Sequence, residues 1–330
     1  MLVTNWRLGK IAIKLINYGV FTKHADRHKK ALGAVLREYL AEVVARRPNK
    51  TFIEIGGLSR TYQEFWDGVL KSAAMFSALG IEKGDRVACS CPIVSNMSIL
   101  VWMSVIGGIS VPVNTAYKRD EMAYILNNAE AKGLITDSSL SDVAGAAADL
   151  SPSVEIRLLR GIEGSVPEGW TNFALEHEDS VPLQELPDIS PHDISMLVYT
   201  SGTTGNPKGV MCTHLMYVAA GQGFAHGLSY IGRPVLHLLP YYHANIQYYS
   251  TMGALAAGGT LVVVDRFSAS RFWGQVREAQ ATVVNFIGMM MPVLSKNTPS
   301  VDDKDNTVRL FYGLPSFPQS FWRIPRTFRY

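Results

Sequence analysis

The chain has 330 residues, of which 47% are hydrophobic and 18% are charged, and its formal net charge is +3 at pH 7. This composition is typical of a globular protein with a large core and two subdomains. The small net charge gives no support for nucleic-acid binding. The three cysteines, Cys89, Cys91 and Cys212, form no disulfide framework in the sequence, so a reducing, cytoplasmic compartment is favoured.

Residues 1–30 are basic and partly apolar, with seven lysines and arginines against the single acid Asp26. Lys14 interrupts the apolar run that a signal peptide requires, and no apolar run in the chain has the length of a transmembrane helix. We expect a basic amphipathic helix here. Two interpretations stay open, which are peripheral contact with an anionic membrane surface and packing on the domain with the basic face in water.

Helix and strand patterns alternate over the next hundred residues. The predicted helices are 31–45, 63–79, 97–106 and 121–129, and the predicted strands are 51–55, 86–91, 109–113 and 133–136. This alternation implies parallel strands with helices on both faces of the sheet. Ligands of such sheets bind at the carboxyl ends of the strands. Residues 151–190 are rich in proline and acidic residues and are predicted to be a loop-rich connector.

The rest of the chain is organised around the glycine-rich segment Tyr199–Gly209, which lies between a buried strand at 194–198 and a short strand at 210–212. Glycines allow successive backbone N–H groups to turn toward an anion, hydroxyl groups add donors, and Lys208 adds a positive charge. Because Lys208 precedes the last glycine, the segment is not a Walker A motif. A plain glycine/threonine turn is the alternative. The segment predicts a phosphate-binding loop with these ligand contacts: Thr200, Ser201, Gly202, Thr203, Thr204, Gly205 and Lys208.

Thr213 is the predicted N-cap of the helix after this loop. Further along, a buried strand at 235–240 ends at Tyr241-Tyr242-His243, and a helix is predicted from there to Leu255. A histidine at the end of a strand can donate a hydrogen bond to an anion near neutral pH, whereas a buried structural histidine is the alternative. We expect one wall of a site to contain Tyr248, Tyr249 and Met252. A turn and strand at 258–264, a helix at 272–279 and a strand at 282–286 complete the pattern. Met289–Met291 suit an acyl pocket or a core equally well.

The segment Tyr199–Gly209 resembles the phosphate loop of the adenylate-forming superfamily, which includes the acyl-CoA synthetases. Earlier segments, Leu79–Val87 and Gly107–Thr115, resemble other motifs of that superfamily in the same order, and Asn114–Tyr117 resembles its crotonobetaine/carnitine-CoA ligase branch. Tyr241–His243 resembles its aromatic-histidine motif. The resemblance implies an α/β fold of two doubly wound sheets with helices on both faces, as in the N-terminal domain of these enzymes.

The resemblance also implies a reaction. A carboxylic acid, carnitine-like or fatty, attacks ATP to form an acyl-adenylate and pyrophosphate, and the acyl group then passes to coenzyme A. ATP, Mg²⁺ and coenzyme A are the implied cofactors, and Lys208 and His243 are the implied catalytic residues. The segment Arg309–Pro315 is similar to the stretch that borders adenine, which makes Gly313 a candidate contact.

Several motifs of the superfamily are absent from the sequence after Gly313, including the aromatic-Gly-x-Thr-Glu motif, the ribose-binding aspartate and the lid lysine. We therefore expect an incomplete domain without its lid, impaired turnover and an exposed sheet edge. A nucleotide- or acyl-binding remnant without turnover is the alternative function, and an unrelated phosphotransferase is disfavoured by the loop order. The expected division of the chain is 1–30, 31–185 and 186–330. His24 and His28 share a helical face but lack further ligands, so no metal site is assigned.

Overall fold

The computed structural model contains two predominantly parallel β-sheets with helices packed against them. It describes residues 5–8, 11–15, 35–91, 99–162, 164–181, 183, 185–200, 205–228, 234–238, 242–264, 267–287, 290–294, 296 and 305–314. The predicted fold class, two α/β sheets flanked by helices, is confirmed.

The first sheet has seven strands in the described residues. In spatial order they are β11 (Lys208–Thr213), β10 (Ile194–Thr200), β6 (Ile109–Pro112), β5 (Arg86–Ser90), β7 (Gly133–Asp137), β8 (Ile156–Arg160) and β9 (Thr171–Asn172). All neighbours are parallel except β10 and β11, which are antiparallel. The glycine-rich segment therefore joins two adjacent antiparallel strands at one edge of this sheet.

The second sheet has eight described strands. In spatial order they are β1 (Asn5–Leu8), β2 (Ile11–Leu15), β15 (Leu310–Leu314), β14 (Val283–Ile287), β12 (Pro234–His237), β13 (Thr260–Val263), β3 (Thr51–Ile55) and β4 (Leu58–Thr61). Inner strands are parallel, and an antiparallel pair forms each edge. Both sheets draw strands from either side of residue 185, so the sheets do not follow the predicted division into 31–185 and 186–330, which stays a prediction.

Helices connect most of these strands and cover the sheets. They are α1 (Leu36–Arg46), α2 (Tyr62–Ala78), α3 (Ile99–Ile106), α4 (Arg119–Asn128), α5 (Ser141–Ala148), α6 (Phe173–Asp179), α7 (His214–Leu228), a π-helix (Ile246–Thr251), α8 (Met252–Ala257), α9 (Phe272–Glu278) and α10 (Met290–Leu294). Among the described helices, none has both the length and the apolar character needed to cross a bilayer.

Apolar packing joins the two sheets through α7. The largest core cluster contains Met196 of β10, Tyr217 of α7 and Val235 of β12, so one continuous core reaches both sheets. A second cluster lies under α9, where Phe272 packs with residues of β12, β14 and β15. Met290, 3% exposed, belongs to this second cluster, which assigns it to core packing. Met289 and the side chain of Met291 lie outside the described residues.

The helix predicted for the N-terminal segment is wrong at residues 5–8 and 11–15, which form the β1–β2 hairpin. The reason is visible in the sequence. Ile11, Ile13 and Leu15 alternate with smaller or charged residues, which is the two-residue period of a strand. Only two residues separate the paired positions Leu8 and Ile11, which is the commonest length of a hairpin connection. The remainder of the segment, including His24 and His28, lies outside the described residues.

Two further expectations are corrected. The edge of β15 is not exposed, because β2 pairs along it in parallel from Leu310↔Ala12 to Gly313↔Leu15. The connector at 151–190 contains β8, β9 and α6. Its apolar strand β8 pairs with all five residues of β7 and buries Leu158 to 1% exposure. Burial of Leu158 in the sheet therefore outweighs the loop-forming composition that surrounds it.

Candidate functional site

The glycine-rich segment starts and ends on a paired stem. Thr200, the last residue of β10, is the partner of Lys208, the first residue of β11, and both are exposed. Paired Cα atoms of antiparallel strands lie about 5 Å apart, so the stem brings these two predicted site residues together. Gly205 follows with φ of +144°, a conformation that glycine adopts readily. The other predicted contacts, Ser201, Gly202, Thr203 and Thr204, lie outside the described residues.

The strand after the loop leads directly into α7. Thr213 Oγ1 accepts a hydrogen bond from the backbone N–H of Met216 at 3.3 Å, which confirms the predicted N-cap. The first residue of the helix, His214, is completely buried. The strand–loop–strand–helix order predicted from the sequence is thus present at the edge of the first sheet.

His243 lies beyond the carboxyl end of β12, the position at which ligands of parallel sheets bind. Its ring centroid is 4.4 Å from that of Tyr242, and its side chain is still exposed. Desolvation by the surrounding protein lowers the pKa of the imidazole below its usual 6.5. The ring is therefore mainly neutral at pH 7, with one nitrogen as donor and the other as acceptor.

Gly313 lies in β15, paired with Phe286 of β14. A Cβ atom on Gly313 would stand 1.9 Å from the carbonyl oxygen of Phe286. Close packing of two backbones is sufficient reason for a glycine here. Its predicted contact with adenine stays a prediction.

Tyr217 connects the two parts of the candidate site. Its hydroxyl donates to Gln247 Oε1 at 2.8 Å and lies 2.7 Å from Met196 Sδ. Met196 belongs to the strand that enters the phosphate loop, and Gln247 to the π-helix that follows His243. The buried side chain of Tyr217 therefore contacts both β10, which enters the phosphate loop, and the π-helix that follows His243.

A buried polar network lies beneath the π-helix. Ser250 Oγ is at its centre, 3.0 Å from His237 Nδ1, 3.0 Å from the Tyr312 hydroxyl and 2.7 Å from Asn285 Nδ2, which donates to it. Asn285 Nδ2 also donates to Asn245 Oδ1. The network joins three parallel strands to Asn245, immediately before the π-helix, and to Ser250 near its end; this helix begins three residues after His243. Insertions of this kind in helices are frequent at functional sites.

Stacked aromatic rings fill the space between α7 and the π-helix. Tyr248 stacks on Tyr217 with centroids 4.2 Å apart, and Tyr249 stacks on Phe224 at the same distance. Met252, expected on a pocket wall, is 2% exposed and belongs to the main core cluster. One ring face of each tyrosine is thus covered by a neighbouring ring.

Sequence reasoning missed the polar network. The signal it offered was weak, namely an asparagine within the apolar strand Val283–Ile287. A polar side chain in a buried strand requires a hydrogen-bond partner, yet the sequence does not show where that partner is. In the part of the chain that the structure describes, no three His, Cys, Asp or Glu side chains form a cluster able to hold a metal ion.

Comparison with known proteins places this geometry in a family. The model of the family described as "AMP-binding enzyme" matches residues 40–323. The crotonobetaine/carnitine–CoA ligase of Escherichia fergusonii is 33% identical over 286 residues, covering 83% of this chain and 54% of the relative. The ligase of the same name from Escherichia coli strain UMN026 is 33% identical over 263 residues, covering 76% and 50%. The chain spans about half the length of these curated relatives.

Solved structures share the fold. The inhibitor-bound N-terminal domain of FACL13 from Mycobacterium tuberculosis superposes with a TM-score of 0.74 at 22% identity, covering 88% of this chain and 72% of that one. The anthranilate CoA ligase AuaEII, in complex with anthranoyl-AMP, gives a TM-score of 0.78 at 19% identity, covering 90% and 58%. With the family match over most of its length, the chain belongs to the AMP-binding enzymes, the adenylate-forming family that contains the acyl-CoA ligases.

Proposed function

We propose that this chain binds ATP and a carboxylic acid as an acid–CoA ligase and forms an acyl-adenylate. The observation that carries the proposal is the β10–β11 stem, in which Thr200 and Lys208 face each other across a glycine-rich loop. Backbone N–H groups and hydroxyls in such a loop suit the β- and γ-phosphates, and Lys208 adds a positive charge. The exposure of both stem residues leaves this place accessible to a nucleotide.

In the first half-reaction, an oxygen of the carboxylate bonds to the α-phosphorus while the bond to the bridging oxygen breaks and pyrophosphate leaves. Lys208 stabilises the charge on the leaving phosphates, and the neutral His243 ring donates to the carboxylate or to an α-phosphate oxygen. In the second half-reaction, the thiolate of coenzyme A bonds to the acyl carbon, the bond from that carbon to the phosphate oxygen breaks, and AMP leaves. The protein acts in the first step mainly by positioning and by charge stabilisation.

Mg²⁺, when bound, would neutralise phosphate charge. Its ligands would be phosphate oxygens and water molecules together with one or two carboxylates.

The acid that we propose is a small carnitine-like carboxylate, because two relatives at 33% identity are named crotonobetaine/carnitine–CoA ligase. Fatty acids are the comparison class. A cytosolic enzyme fits the buried thiols of Cys89, Cys91 and Cys212.

Nucleotide or acyl binding without turnover is the second candidate. Measurements of nucleotide binding and of turnover distinguish the two candidate functions.

The test is carboxylate-dependent exchange of labelled pyrophosphate into ATP, with crotonobetaine, carnitine and fatty acids as substrates, alongside equilibrium binding of ATP. We expect Lys208→Ala and His243→Ala each to lower exchange by about 10²–10³-fold while circular dichroism stays unchanged. Lys208-dependent ATP binding without exchange would support the binding module. Equal ATP binding by the wild type and Lys208→Ala would refute the assignment of the loop.

A further inference from the structure

Two side chains on one face of α4 hold the stem of the phosphate loop. Tyr124 and Asn128 are four residues apart, so they project from the same side of the helix. The Tyr124 hydroxyl donates to the carbonyl oxygen of Pro207 at 3.0 Å. Asn128 Oδ1 accepts from the hydroxyl of Tyr199 at 2.7 Å. One hydrogen bond reaches the segment that enters β11, and the other reaches the end of β10.

Both bonds act on residues adjacent to Lys208. Pro207 immediately precedes it, and Tyr199 is the cross-strand partner of Gly209, which immediately follows it. A Cβ atom on Gly209 would come within 3.2 Å of the Tyr199 ring, so this ring lies against the β11 backbone and admits only glycine without a shift. The backbone on either side of Lys208 is thus held by α4, directly at Pro207 and through Tyr199 at Gly209.

The hydroxyl groups suit this task. Tyr199 is half-buried, and burial together with the nearby Tyr124 raises its pKa to about 12. It therefore stays protonated and able to donate at any physiological pH. The helix itself is packed by Met122, Ile125 and Leu126, which are buried in a cluster of the first sheet. Neither the Tyr124 hydroxyl nor the Asn128 amide is needed to bury the helix, so each can be removed without opening the core.

We propose that Tyr124 and Asn128 are positioning residues that fix the stem, and with it Lys208, for the β- and γ-phosphates of a nucleoside triphosphate. A loop rich in glycine has many conformations when free, and ordering it on binding lowers affinity. Because both strands of the stem are already held, only the residues between them lose conformational freedom when the nucleotide binds. This inference rests on the proposed function, because it assigns phosphate binding to the loop.

The test compares the affinities for ATP and AMP, measured by equilibrium dialysis, in the wild type, Tyr124→Phe, Asn128→Ala and the double variant. AMP lacks the two phosphates that the loop would hold. We expect the double variant to bind ATP about three- to ten-fold more weakly, the equivalent of one or two neutral hydrogen bonds. Binding of AMP stays unchanged. The expected result is therefore a change in the ratio of the two affinities.

Tyr62→Phe is the matched control. It removes a hydroxyl at the start of α2 that likewise donates to a backbone carbonyl, that of Gly259 at 2.7 Å, immediately before β13 of the second sheet. We expect Tyr62→Phe to lower the stability of the protein as Tyr124→Phe does, but to keep the wild-type ratio of ATP to AMP affinity.

The outcomes separate the two proposals. If the wild type binds ATP no better than Lys208→Ala does, the proposed function fails. If ATP binding depends on Lys208 but the double variant keeps the wild-type ratio, the positioning inference fails and the proposed function stands. A double variant that loses ATP and AMP binding equally also overturns the inference, because a general structural defect affects both ligands.

Discussion

The free energy of unfolding of this protein should fall as the pH is lowered from 7.5 to 5, because of one buried histidine, His214. Its side chain is completely buried at the start of α7. Nδ1 accepts from the backbone N–H of Leu36 at 3.4 Å, and Nε2 has no hydrogen-bond partner among the described residues. Burial lowers the pKa to about 4; nearby Asp193 opposes this shift, whereas the cations Arg37 and Lys83 add to it.

The magnitude follows from the two pKa values. The unfolded chain binds a proton at His214 with a pKa of about 6.5, whereas the folded protein does so only near 4. Between these values the unfolded state binds more protons, so the free energy of unfolding falls as the pH falls. At about 1.4 kcal/mol per pH unit, the 2.5-unit difference gives a limit of about 3.5 kcal/mol, of which about 2 kcal/mol is lost between pH 7.5 and pH 5.

Urea unfolding at pH 7.5 and pH 5.0 measures this loss. His214→Asn keeps an acceptor for the Leu36 N–H and removes the titration, so its loss between the two pH values should be about 2 kcal/mol smaller than that of the wild type. His192→Asn makes the same change at an exposed position and should behave as the wild type. Histidines other than His214 and His192 are present in all three proteins and contribute equally. The same pH dependence in the wild type and His214→Asn would refute the reasoning.

Three further changes test the packing around the candidate site and the N-cap of α2. Gly313→Ala should lower the free energy of unfolding in urea by about 3 kcal/mol or more, because the added Cβ meets a carbonyl oxygen of β14. Gly274→Ala is the control: no atom lies within 4 Å of its added Cβ, so it should be neutral or stabilising. Equal effects of the two substitutions would contradict the packing argument. Ser250→Ala removes the centre of a buried network and should cost about 2 kcal/mol, since buried partners lose their bonds; an unchanged midpoint would show that the network contributes nothing. Thr61→Ala removes the capping box of α2 and should lower the free energy of unfolding by about 1 kcal/mol. Thermal unfolding measures this change, and a melting temperature equal to that of the wild type would contradict it.

Most individual elements could be predicted because their signals are local. The strand β10, the strand β11 and the cap at Thr213 each follow from residues within a few positions of one another. The sequence predicts a helix in place of the N-terminal hairpin because the segment contains lysines at spacings that suit a basic helix. The two-residue period of a strand is present, but over so few residues it cannot be told apart from the 3.6-residue period of a helix. Its pairing with β15, about 300 residues away in the chain, is what makes it a strand.

By itself, the sequence determined the family motif, the glycine-rich loop with Lys208, and the histidine at the end of a strand, because each is encoded in one short segment. Only the tertiary structure decided what holds them. Asn285 binds a serine 35 residues before it, and Tyr124 binds a carbonyl group 83 residues after it. Such partners are set by strand order and helix packing, which depend on the whole chain. A hydrogen bond across that separation leaves no local pattern in the sequence, so the supporting residues of the site become visible only in the fold.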